Sequence, residues 1–520
     1  MATTEARSSP LRSLKPLACL AAAASLSVVH AQQLQQPASL AEAEITATLT
    51  ATDNSGYTDA RESRGDTLLS VEPRLRLNTR GGRVSVQGEV GASALRYLRG
   101  TQPDRVLPQA LLGMQSTLVE RWVYLDASAA VDQTASNPYA ARPDGASSFN
   151  QITTRRLKLS PYVEHRFAPE LSFTARSDHA WTRRNGRQSA DDPRRDAYEQ
   201  QQTVRLEQQP LPFGGNIEYL RQDTRYAGDA ESVLTLDTLR AVANYAVDPQ
   251  LVLGVIAGRE RSEFALRRHT DTLYGVRASW QPTERTDLSA AVEHRFFGTG
   301  WTAQFTHRTP FLSINLRSFR EPTAQPSSQI LSPGGGTTSE LLDAILTTRY
   351  PDPVAREALV RTIINDLGLP ETLSGPVEVF ADYAQLQQGT SLSVALLGRR
   401  TTLALAVHAR RYRQLARSDD PLGPDASFAS DNEQLGVSID LTRRLTLQTS
   451  LSLALRASRV EGLGHRNGDF TREKSARLSL QHALSPDTSV TLGARRQLLD
   501  SNVSASARES AAFAAVNHRF

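Results

Sequence analysis

From about residue 45 to the C-terminus, apolar and polar residues alternate with a period of two, the pattern of β-strands that bury one face. Ile45, Ala47, Leu49 and Ala51 alternate with polar partners, as do Val84, Val86, Val90 and Ala92, and later Leu451, Leu453 and Leu455. A loose repeat runs through this region: a tight polar turn, about ten alternating residues, then arginines. Val247-Asp248-Pro249-Gln250 leads to Arg259 and Arg261, Gly398-Arg399-Arg400-Thr401 to Arg410, Arg411 and Arg413, and Thr442-Arg443-Arg444 to Arg456 and Arg459. Longer polar stretches fall near 53–66, 98–107, 134–150, 184–196, 414–430, 460–471 and 500–508, so short and long connections alternate. Strands of about ten residues joined in this way predict an all-β fold, a large antiparallel up-and-down barrel of about 22 strands in an outer membrane, with the short turns in the periplasm. A soluble β-solenoid or a set of sandwiches shares the alternation. Against these stands the last strand, Ala512, Ala514, Val516, His518 and Phe520, which ends on a free aromatic residue and resembles the C-terminal signal that such barrels present to their assembly machinery.

One segment changes period. After the Pro/Gly/Ser-rich stretch 322–336, Leu341, Leu342, Ile345 and Leu346 share a helical face, and Val354, Leu359, Val360, Ile363, Ile364 and Leu367 form a second. Asp352 suits an N-cap with Pro353 at the first helical position, and Gly368 followed by Pro370 stops the second helix. The spacing predicts a helical insertion over 337–370 in a long outward loop, placed to cover the rim, cap the mouth or fold inward as a plug.

At the N-terminus, Arg12 and Lys15 precede an apolar run from Leu17 to Val29, and Ala31 supplies a small residue for cleavage: a secretory signal peptide over 1–31, followed by a Gln-rich lead at 32–42 and the barrel at 43–520. The single cysteine, Cys19, lies inside that peptide, so the exported chain has no thiol chemistry. Lys and Arg total 59 against 55 Asp and Glu, a formal charge of +4 without a basic block, which disfavours nucleic acid as a partner.

Nearly all the basic residues are arginine; the lysines are Lys15, Lys158 and Lys474. A GC-rich genome gives this skew without any function. The functional reading is that Arg259, Arg261, Arg410, Arg411, Arg413, Arg456 and Arg459 line one rim and hold anionic sugars or lipid phosphates.

The opening strand into Asp53-Asn54, then Val71-Glu72-Pro73-Arg74-Leu75-Arg76-Leu77, then Gly81-Gly82-Arg83-Val84-Ser85-Val86, and the mid-chain helices beginning near Pro351-Asp352-Pro353 carry a family likeness. On these segments the chain resembles the outer-membrane β-barrel family associated with exosortase/PEP-CTERM exopolysaccharide loci in Gram-negative bacteria. The resemblance implies an outer-membrane location, with outer-membrane lipid, the barrel assembly machinery, an anionic polysaccharide and periplasmic export components as partners. It brings no catalytic residues, and no metal or other cofactor is expected.

The remaining chemistry is sparse. The histidines show no metal-ligand spacing. Val163-Glu164-His165-Arg166-Phe167 recurs at 292–296 and, with Asn517 for the acid, at 516–520; an acid/base site is one reading and an aromatic and basic interfacial girdle the favoured one, although strand parity puts the 292 copy at the opposite rim. Ser177-Asp178-His179 is adjacency along a strand, where neighbours point to opposite faces, so a rim hydrolase is the weaker alternative to a conduit or scaffold. A general diffusion porin is the other alternative, and a TonB-coupled transporter would need a plug domain longer than the residues ahead of Ile45.

Overall fold

A computed structural model describes residues 39–135, 137–140, 151–185, 196–226, 233–264, 267–323, 337–370, 373, 375–376, 384–415 and 431–520. The signal peptide and most of the lead lie outside these residues, as do parts of the expected loops at 134–150, 184–196 and 414–430. Strand structure begins at Ser39, so the barrel takes up the last residues that the sequence pattern assigned to the lead.

The alternating segments form 22 antiparallel strands: β1 Ser39–Thr52, β2 Asp66–Arg80, β3 Val84–Tyr97, β4 Arg105–Val119, β5 Val123–Ala135, β6 Gln151–Ala168, β7 Leu171–Asn185, β8 Asp196–Gln208, β9 Phe213–Tyr226, β10 Val233–Ala246, β11 Leu251–Phe264, β12 Arg267–Thr283, β13 Thr286–Arg295, β14 Gly298–Arg308, β15 Leu312–Thr323, β16 Gln385–Leu397, β17 Thr401–Gln414, β18 Asn432–Arg444, β19 Thr449–Gly462, β20 Phe470–Ala483, β21 Thr488–Ser501 and β22 Ala507–Arg519. Each pairs with its chain neighbours, and β1 pairs with β22 from Glu44↔Arg519 to Thr52↔Ala511. The sheet is therefore a closed barrel with no free edge, which removes the unpaired N–H and C=O groups that neither lipid nor water-excluding loops can satisfy.

Connections after even-numbered strands are tight turns, such as 81–83, 398–400 and 445–448. Those after odd-numbered strands include all the long loops. The barrel thus has a short-turn rim, which carries the C-terminus, and a long-loop rim. Two helices, α1 Thr338–Leu346 and α2 Pro353–Leu367, interrupt the connection from β15 to β16.

The two faces of each strand differ as the alternation requires. In β18, Leu435, Val437, Ile439 and Leu441 are exposed on the outside, while Gln434, Ser438, Asp440 and Thr442 are buried on the inside. Aromatic residues lie among the apolar ones on the outer face: Phe213 and Tyr219 on β9, Tyr274 and Trp280 on β12. The recurring Val-Glu/Asn-His-Arg-Phe segments add ring contacts to this outer face. His165 stacks on Trp122 at 3.6 Å, His294 stacks on Tyr274 at 5.0 Å, and His518 meets Phe520 edge-on at 4.6 Å. The 292 copy sits at the long-loop end of β13 and the other two at short-turn ends of β6 and β22, as parity requires.

Candidate functional site

The helical insertion starts at the long-loop rim and ends up at the opposite end of the barrel, inside it. Its apolar face, Leu341, Leu342, Ile345, Leu346, Val360, Leu367 and Leu369, forms one buried cluster with Ala395 of β16 and Ala404 and Ala406 of β17. Those alanines lie beside the short turn 398–400. Cross-strand pairing fixes the lumen face all the way round from this contact, since Ala404 pairs with Ala395 and Asp440, and Asp440 with Ala454. Of the expected placements, inward folding is the one observed.

Local chemistry explains why the hairpin is well formed. Thr337 and Glu340 make a reciprocal capping box at the start of α1. Pro353 opens α2, and the Asp352 carbonyl accepts the first helical bond from the Arg356 N–H at 3.0 Å. Gly368, at φ +60°, ends it: the Leu369 N–H donates to the Ile364 carbonyl (2.9 Å) and the Gly368 N–H to that of Asn365 (3.2 Å), a Schellman closure that only a residue without Cβ adopts cheaply. Arg356 clasps the two helices together, donating to Asp343 Oδ1 at 2.6 Å and to the Tyr350 carbonyl at 2.8 Å.

Polar contacts tie the hairpin to the wall around the short-turn end. Glu357 pairs with Arg80 and accepts from Asn78 (3.3 Å) on β2, and Arg361 reaches Glu357 (3.1 Å) and Glu42 of β1 (3.8 Å). On the other side Gln481 of β20 donates to the Asn365 carbonyl at 3.3 Å, and Arg349 lies 4.7 Å from the Phe311 ring in a short turn. Two cavities of about 330 and 500 Å³ flank the hairpin, one against β12–β15 and the other against β1–β4.

Further up, the lumen is lined by paired charges: Arg76–Glu89 (3.1 Å), Arg156–Glu199 (3.0 Å), Arg176–Asp126 (2.9 Å), Arg240–Glu293 (2.7 Å) and Arg495–Glu509 (2.9 Å), with Arg295–Glu260 between β13 and β11. Arg277 on β12 and Arg317 on β15 differ. Among the described residues they make no ion pair, and Arg317 has only the Phe319 ring at 5.2 Å. They border a lumen cavity of about 470 Å³ whose floor is Ser279, Ser289, Thr302 and Gln304, with Arg205 and Arg240 at its edge. Gly254 leaves the space for Arg277, whose Cγ would lie 2.8 Å from a Cβ there.

The seven arginines singled out from the sequence do not form one surface. Arg259, Arg261, Arg411, Arg413 and Arg459 point outward from the long-loop halves of their strands, Arg411 onto Glu433 (3.0 Å) and Arg459 onto Glu461. Arg410 points into the lumen over Phe319 at 4.6 Å, and Arg456 is a lumen residue at mid-strand, away from the rim. The period of two separates neighbours such as Arg410 and Arg411 by the thickness of the wall, which a cluster in sequence conceals. Arg277 and Arg317 were missed because each is a single arginine in a polar row. Val516 faces outward between Ala47 and Val490, and the Phe520 N–H donates to the Ala43 carbonyl at 2.9 Å, so the terminal residues help close the barrel.

Ser177 and His179 do meet on the outer face of β7, with Ser177 Oγ 3.0 Å from His179 Nε2 and the Tyr198 hydroxyl 2.8 Å from Nδ1. Asp178 is on the other side of the wall, held by Arg176 (2.9 Å) and Lys158 (3.5 Å), so these three consecutive residues form no triad. Among the described residues no group of three or more His, Cys, Asp or Glu side chains is placed to hold a metal.

At the long-loop rim, Tyr139 from the β5–β6 connection is fully buried against Val460, with Thr471 donating to its carbonyl at 2.7 Å. Burial pushes its hydroxyl up to about 12, against the opposing pull of Arg466.

The chain matches no protein-family profile and no curated protein sequence. Its fold does have counterparts. The apoprotein of the FrpB iron transporter from Neisseria meningitidis aligns with a TM-score of 0.50 at 10% identity, over 94% of this chain and 82% of that one. BauA, the ferric preacinetobactin receptor of Acinetobacter baumannii, gives 0.45 at 12% identity over 92% and 80%. OccK2 (OpdF) of Pseudomonas aeruginosa, solved with glucuronate, gives 0.33 at 11% over 92% and 98%. At such identities the likeness is one of fold alone. This chain is an outer-membrane-type β-barrel of 22 antiparallel strands, with the fold of the FrpB iron transporter.

Proposed function

We propose that the protein is a gated conduit of the outer membrane, its short turns in the periplasm, which passes an anionic solute or polymer and is closed by the α1–α2 hairpin. The observation that carries this reading is the position of the hairpin: a loop that leaves the long-loop rim is packed inside the lumen at the far end, on alanines where a water-filled pore would present polar residues. The charge preference rests on Arg277 and Arg317, lumen guanidiniums free of carboxylate partners among the described residues and thus available for bidentate bonds to carboxylate or sulfate groups. An acidic exopolysaccharide is the cargo that the family resemblance suggests, with periplasmic export components as the partners that release the hairpin.

In bilayers holding a hairpin-deleted variant, an acidic oligosaccharide is expected to interrupt the ion current. Changing Arg277→Gln and Arg317→Gln together should shorten those blockades by about tenfold, the loss of one or two charge-assisted hydrogen bonds. Blockades of unchanged length, or equal blockade by a neutral oligosaccharide, would remove the anionic cargo from the account.

A further inference from the structure

A second arrangement of arginines lies on the outside of the barrel, on β6 to β9. Pairing aligns Val131, Arg155, Arg183 and Asp196 in one outward row and Ala129, Leu157, Trp181 and Tyr198 in the row below, on the side of the short turns. Tyr198 in turn pairs with Arg225. The two rows line an outer groove of about 650 Å³ that is walled by Leu157, Trp181 and Tyr198 and overhung by Arg155, Arg183 and Arg225. Trp181 and Tyr198 pack with ring centroids 5.5 Å apart.

We infer that this groove binds a phosphorylated, multiply acylated glycolipid of the outer leaflet, acyl chains along the aromatic floor and phosphates on the arginines. The inference rests on the orientation proposed above, with the long loops outside.

Height places the groove correctly. From Phe173, near the short turn, to Trp181 is about 26 Å along β7, or about 20 Å of vertical rise at a tilt near 40°. That puts Trp181 at the far boundary of the apolar band and Arg183 just above it, where the phosphates of an outer-leaflet lipid meet water. Arg155 and Arg183 sit on adjacent strands, and Arg225 stands about 10 Å beyond, two strands away. Arg155 has no ion pair among the described residues. Arg183 meets Asp196 at 3.6 Å and Arg225 meets Asp223 at 3.0 Å, yet both side chains stay largely exposed, 70% and 63%. Arg183 thus keeps N–H donors for a phosphate, which a carboxylate contact along one edge does not consume, and Arg225 adds exposed positive charge. An uncompensated arginine facing hydrocarbon is costly, whereas at this height beside a lipid phosphate it is stabilised.

Binding of bisphosphorylated lipid A in mixed detergent micelles to the purified full chain tests this. The combined Arg155→Gln, Arg183→Gln, Arg225→Gln variant should bind about tenfold less, or weaker still, and lipid A stripped of its phosphates should bind the unaltered chain and the variant alike. The control is Arg399→Gln with Arg443→Gln, exposed arginines at the short-turn end of β17 and β18, which should leave binding unchanged. Should the triple variant lose the heat-modifiable migration of a folded barrel, Arg155→Gln alone is read, with about threefold weaker binding expected. Retention of full binding by the folded arginine variant, or an equal loss in the short-turn control, would overturn the site. Because the measurement involves no current, its failure is distinct from failure of the conduit.

Discussion

Tyr139 shows how a single side chain organises the mouth. Its ring is sealed among residues of β19 and the loops beside it, while its hydroxyl has no hydrogen-bond partner among the described residues. Removing the oxygen therefore costs little, whereas removing the ring leaves a cavity: Tyr139→Phe should keep the loop docked, and Tyr139→Ala should cost about 3–5 kcal/mol of docking free energy. A raised phenol stabilises the docked loop below the ordinary tyrosine range near 10, and that contribution is lost as the pH rises from there through about 12. A difference titration of tyrosinate absorbance between the parent chain and Tyr139→Phe should accordingly show one phenol that ionises near pH 12; a phenol ionising near 10 would contradict the buried placement. None of this was legible in the sequence, because Tyr139 stands in a loop without periodicity and is buried by strands more than 300 positions away.

Among the elements, the hairpin carries the most information. Its existence, its capping residues and its glycine stop follow from a change of period and from local chemistry that operates within one turn of helix. Where it docks is a long-range fact. One trace of it is present in the strands: Leu403-Ala404-Leu405-Ala406-Val407 is apolar on both faces, where a strand between lipid and water would alternate. The forces that hold it can be ranked. Arg80–Glu357 is about two-fifths exposed on each side and contributes up to about 1 kcal/mol. Leu342 and Ile345 are fully buried, and shortening either to alanine costs about 2–5 kcal/mol. Leu342→Ala with Ile345→Ala should thus undock the hairpin and expose Arg356, 11% exposed when docked, to trypsin while the barrel keeps its heat-modifiable migration, and Glu357→Gln should leave it protected. Cleavage that is equal in all three proteins would contradict apolar docking.

For the whole molecule, the strand number, the alternation of turns and loops and the two faces follow from a short-range pattern repeated 22 times. Closure adds the pairing of β1 with β22, which accounts for the terminal strand's alternating residues. The arginine clusters misled because composition counts residues without regard to wall face; Arg277 and Arg317, which border the lumen cavity, make no ion pair among the described residues. A barrel of this width owes its permeability to whatever stands inside it, and the hairpin inside it comes from a loop of the same chain. The decisive measurement is planar-bilayer conductance of the refolded chain with and without residues 337–370, each shown to migrate as a folded barrel. The account predicts small currents from the full chain and large ones after deletion; large currents from both, or none from the deleted form, would contradict it.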